Sequence, residues 1–122
     1  MRKPTKTTLR NKLDKILSLI VRGRGKCARC GNKQNLQCCH IFSRSYLGLR
    51  WLLENVLCLC AGCHFWGHAN PILFAEWVRE FLGEEKYEDL KEARNQITKY
   101  TLEDLQIKYQ VLKELLEGQI NG

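Results

Sequence analysis

Two Cys-x-x-Cys pairs, Cys27/Cys30 and Cys60/Cys63, constrain this chain more than any other feature. A pair at this spacing bites a metal ion from one turn, and two pairs let four thiolates meet one tetrahedral Zn²⁺ at about 2.3 Å. Gly31 follows the first pair and Gly62 lies inside the second, which strengthens the zinc reading over buried free thiols or a redox pair. Such a site is closed and structural, and its binding energy is folding energy. There are seven cysteines, an odd number that argues against a complete disulfide framework. Cys38, Cys39 and Cys58 are left over. Cys58 is expected to pack as a small hydrophobe, and it is the likeliest substitute ligand because it shares a strand face with Cys60.

A chain of 122 residues allows one compact domain or a small module with an appendage. No stretch approaches the roughly 18 uninterrupted apolar residues of a membrane span. The basic N-terminus lacks a signal peptide's apolar region and cleavage site, so a cytoplasmic setting and no membrane partner are expected. A hydrophobic content of 44% is enough to build a core, so disorder is not expected. Charge divides along the chain. Residues 1–26 carry nine Lys/Arg against the single acid Asp14, a balance of +8. Residues 27–70 stand at +3 and residues 71–122 at −4. A basic front joined to an acidic tail suggests a polyanion-binding face on one side only.

Residues 8–22 read as a basic helix with Thr8 as N-cap and Leu9, Leu13, Ile16, Leu17 and Ile20 on one face. Residues 37–42 and 55–60 read as short strands, 43–51 as a loop, and a short helix starts at Gly62. Helices are expected at 71–82, 84–97 and 102–117, the last opened by the Thr101-x-x-Asp104 capping spacing and closed by Gly118. The organisation is therefore a basic N-terminal helix (1–26), a zinc-stapled core (27–70) and a C-terminal helical extension (71–122). Trp51 and Trp66 are expected in the core, with stacking on unpaired bases as the alternative, and Trp77 is assigned to packing. The leucine stripe of the last helix either docks back on the core or forms a homodimer.

All three histidines lie within or beside the zinc frame. His64 and His68 are four residues apart on a helix, so they share a face and can offer two imidazoles to a divalent ion. His40 lies on the first strand, and Asn55 opens the second. This order, carried by Cys-Cys-His-Ile-Phe-Ser-Arg-Ser (38–45), Leu-Arg-Trp (49–51), Glu-Asn-Val (54–56) and Leu-Cys-Ala-Gly-Cys-His (59–64), resembles the HNH, or ββα-metal, endonucleases. It looks most like the phage recombination endonucleases of the NinG type, which also place a basic helix and a Cys-x-x-Cys-Gly knuckle upstream.

The resemblance covers roughly residues 10–72 and implies an α+β fold with a small ββα-metal core. It also implies metal-dependent hydrolysis of DNA, with branched or recombination-intermediate DNA as a candidate substrate, in a host cytoplasm if the chain is phage-encoded. His40 would be the general base and Asn55 would hold the loop that carries it. His64 and His68 would hold a catalytic Mg²⁺, Mn²⁺ or Zn²⁺, and Arg44 and Arg50 would grip phosphates. Many HNH sites have Asp or His just before the base. Here that position is Cys39, which on a regular strand points away from its neighbour. The rivals are a zinc-stapled nucleic-acid-binding module without catalysis and an interaction adaptor using the helical tail.

Overall fold

The computed structural model describes residues 4–121. Helix α1 (Lys6–Arg22) begins at Thr5, whose hydroxyl accepts from the Thr8 amide at 3.1 Å. The expected cap, Thr8, lies inside the first turn, because Thr5 is the residue with extended backbone where the helix opens. Leu9, Leu13, Ile16, Leu17, Ile20 and Val21 are buried along one face. The knuckle at 27–31 closes through Gly31 N–H to Cys27 O at 2.9 Å. Gly31 has φ +79, a conformation that glycine adopts without a Cβ penalty.

Strands β1 (Leu36–His40) and β2 (Val56–Cys60) pair antiparallel with Cys38 opposite Cys58 and His40 opposite Val56. The segment between them contains a short helix, α2 (Leu47–Arg50), where a loop is expected from the sequence, and a single 3₁₀ turn. Helix α3 (Ala61–Ala69) follows β2 directly, with the Cys60 thiol capping the Cys63 amide at 3.5 Å. Helices α4 (Pro71–Leu82), α5 (Glu84–Ala93) and α6 (Leu102–Asn121) complete the fold. Pro71 sits at the start of α4, where its missing N–H costs nothing. The Thr101/Asp104 box forms reciprocally at 2.9 and 3.1 Å. Gly118 does not end α6. It is exposed in the helix interior, where glycine costs only about 1 kcal/mol.

The sheet separates two apolar clusters. Val56 and Cys58 face α1 and join Trp51, Leu105 and Leu112. Leu57 and Leu59 face the other way and join Cys27, Cys39, Cys60, Cys63, Val78 and Tyr87. Burial on both faces explains why every residue of β2 is buried. Cys58 joins the first cluster and Cys60 the second, and the Cys60 thiol meets those of the knuckle. The leucine stripe of α6 lies on α1: Leu105 and Leu112 are buried there and Leu102, Tyr109 and Leu116 pack around them. Gly67 lets α4 approach α3, since a Cβ at that position would lie 2.7 Å from the Phe74 ring. No helix among the described residues is long and apolar enough to cross a membrane.

Candidate active site

Cys27, Cys30, Cys60 and Cys63 meet, with all four sulfurs within 4.8 Å of one another, and could hold a structural metal such as zinc. Cys30 and Cys60 Sγ are 3.6 Å apart, near the span of about 3.8 Å expected across a tetrahedral Zn–S₄ centre. The knuckle is tied to β2 by Ala28 N–H to Cys58 O at 2.8 Å. Burial opposes ionisation of Cys27, but the backbone N–H groups of Cys30, Cys60 and Arg29 outweigh it and bring the thiol down to about 6. Arg29 donates to Cys63 Sγ at 3.5 Å and lies 3.6 Å over the Trp66 ring. Trp66 is therefore half-buried under a guanidinium, where the sequence suggests a core position.

A cleft of about 1060 Å³ runs along β1. Residues 36–44 form its floor, with Asp14, Ser18 and Arg22 of α1 on one wall and His64, His68 and Phe74 of α3 and α4 on the other. β1 can floor a cleft because it is an edge strand, paired only with β2. His40, Arg44, His64 and His68 all line it.

Each histidine is oriented by its partners. The His40 Nε2 lies 2.8 Å from the Arg50 carbonyl oxygen. A carbonyl only accepts, so Nε2 carries the proton and Nδ1 keeps its lone pair. The His64 Nδ1 lies 2.7 Å from Gln37 Oε1, the acceptor oxygen of that amide, so Nδ1 carries the proton and Nε2 is the free nitrogen. That nitrogen accepts from His68 Nε2–H, 3.1 Å away. Two imidazole nitrogens bound to one divalent ion at about 2.1 Å stand about 3.0 to 3.4 Å apart, so the pair could hold an ion once that proton is released. Burial, then the charges of His68 and His40, lower the His64 pKa and favour its neutral form.

Asn55 is fully buried and closes the other side of the loop. Its Oδ1 accepts from Phe42 N at 3.0 Å, and its Nδ2 donates to Phe42 O at 2.9 Å and Leu49 O at 3.1 Å. Arg44 is 63% exposed over the cleft and 3.8 Å from Asp14. Arg50 is turned inward: its Nε reaches Asp14 Oδ1 at 2.9 Å and its Nη2 bonds the second oxygen. Cys39 is buried in the second cluster, and burial pushes its thiol up to about 12. Among the described residues, the four cysteines are the one group of three or more metal-ligating side chains, so neither Cys39 nor an acid joins the histidine pair.

Two residues of this site escape sequence reasoning. Gln37 reaches His64 across 27 positions, a contact that depends on how α3 folds back over β1. Asp14 had a signal, as the one acid among nine basic residues of the first 26.

No protein-family model matches this chain, and no curated protein or solved structure is similar enough to count as a match.

Proposed function

We propose that this protein is a metal-dependent endonuclease of the HNH, ββα-metal type that hydrolyses DNA phosphodiester bonds, with branched or recombination-intermediate DNA as its candidate substrate. The observation that carries this proposal is the convergence of His40, His64, His68 and Arg44 on one cleft, with carbonyl oxygens fixing the tautomers of His40 and His64. An apolar packing role would not require these four polar side chains to share one cleft.

In this mechanism Nδ1 of His40 takes a proton from the attacking water, whose oxygen forms a bond to phosphorus while the P–O3′ bond breaks. Products carry 5′-phosphate and 3′-hydroxyl ends, the leaving oxygen taking its proton from solvent. Asn55 and the Arg50 carbonyl keep the His40 ring in one orientation. Arg44 grips a phosphate beside the cut, and the basic α1 tracks the backbone without reading sequence. His64 and His68 would hold a divalent ion, which would supply Lewis-acid stabilisation of the phosphate and the leaving oxygen. Two neutral imidazoles suit Zn²⁺ better than Mg²⁺, which prefers all-oxygen surroundings.

A zinc-stapled nucleic-acid-binding module without catalysis is the second reading. It is favoured by the bare two-residue ligand set at His64 and His68. Incubating the protein with plasmid and branched DNA in Mg²⁺, Mn²⁺ or Zn²⁺ separates the two. The endonuclease yields nicked or cut products carrying 5′-phosphates under at least one ion. Retention of DNA with no cleavage under any ion would replace the proposal with the binding module.

A further inference from the structure

We infer that Asp14, on the basic helix α1, is a positioning residue for His40 and so makes α1 part of the site as well as a surface for DNA. The inference rests on the proposed role of His40.

The carboxylate holds two adjacent residues at the C-terminal end of α2. Oδ1 accepts from Arg50 Nε at 2.9 Å and from Trp51 Nε1 at 2.8 Å, and Oδ2 takes Arg50 Nη2. A bidentate guanidinium–carboxylate pair fixes both distance and plane, unlike a point charge. Asn55 holds the preceding residue through the Leu49 carbonyl. Three consecutive residues, Leu49, Arg50 and Trp51, are therefore pinned, and the carbonyl of the middle one receives the His40 Nε2 proton. Moving Asp14 would shift that carbonyl, and with it the acceptor that keeps Nδ1 free.

The electrostatics agree with this geometry. Burial opposes ionisation of Asp14, but hydrogen bonds from Arg50 and Trp51 and the charges of Arg50 and Arg44 hold its carboxyl below the usual carboxylate range. It is thus an anion throughout the neutral range and keeps its grip on Arg50. Arg44 lies too far from it, at 3.8 Å, for a close pair, and with its side chain 63% exposed it remains available in the cleft.

Asp14→Asn, which keeps the shape but loses the charge, and Arg50→Lys, which keeps the charge but loses the fork, test the inference together. The first readout is the tautomer of His40 by long-range ¹H–¹⁵N NMR, which requires no activity. The native ring is expected to show a single Nε2–H form, and the Asp14→Asn ring a mixture with Nδ1–H, with Arg50→Lys between them. The second readout is cleavage kinetics, with kcat falling about 10- to 100-fold in Asp14→Asn while KM changes little. If the native protein cuts no DNA, the endonuclease reading fails and the NMR result alone decides the positioning role. An unchanged Nε2–H ring in both variants, whatever their melting temperatures, would overturn the inference.

Discussion

Stripping the zinc that the four cysteines could hold is expected to unfold the half of the molecule built on the second apolar cluster while α1 and α6 stay helical. Cys27, Cys60 and Cys63 belong to that cluster, and the cluster between α1, β2 and α6 contains none of the four ligands. Structural zinc sites are worth about 10 to 16 kcal/mol in small peptides, as much as the whole stability of an ordinary domain. The cysteines join the knuckle to the β2–α3 corner, which sets where His64 and His68 stand, so the cleft should be lost with the metal. Near-ultraviolet circular dichroism should collapse on chelation, with only a partial fall in the far-ultraviolet signal. Cys60→Ser should behave the same way, since Cys60 is also the cap of α3. Cys58→Ser, outside the four-cysteine group, should still bind one zinc per chain. Melting that ignores a strong chelator, or zinc loss in Cys58→Ser equal to that in Cys60→Ser, would contradict this assignment.

Replacing His40 by alanine should lower kcat by about 10² to 10⁴, the range that a positioned general base contributes. Several competing effects are small enough to be separated from that loss. The sheet register does not depend on the imidazole, and the loop keeps its Asn55 and Asp14 anchors, so the fold should survive. Binding of DNA in the absence of divalent ions should change by less than about twofold, because in the proposed mechanism phosphate contacts from Arg44 and α1 would supply that affinity. Single-turnover cleavage alongside a metal-free binding titration separates these effects. A His40→Ala protein that cuts at the native rate would remove His40 from the reaction and leave the cleft without a base.

The parts of this fold that were legible are those encoded by near neighbours. Thr101 and Asp104 form their reciprocal cap because three-residue spacing alone brings them together. The cysteine pairs are similar: each pair is set by a single turn, and only the meeting of the two pairs needed the fold. The apolar character of β2 was readable, but a strand with both faces buried gives no sign of which face takes which helix. Arg50 illustrates the larger gap. Its sequence neighbourhood suggests a phosphate ligand, and only the packing of α1 reveals Asp14, 36 residues earlier, as its partner. Charge balance hinted at Asp14 without saying what it meets. The Gln37 contact to His64 left no trace in the sequence at all.

A divalent ion on His64 and His68, separate from the zinc on the cysteines, is what distinguishes a hydrolase from a zinc-stapled binding module. Crystals grown with zinc and soaked in Mn²⁺ answer this through anomalous scattering recorded on both sides of the zinc edge. Two metal positions are predicted, a zinc peak among Cys27, Cys30, Cys60 and Cys63 and a manganese peak bonded to both Nε2 atoms. A single peak at the cysteines, with His64 and His68 still bonded only to each other and to Gln37, would contradict the catalytic assignment.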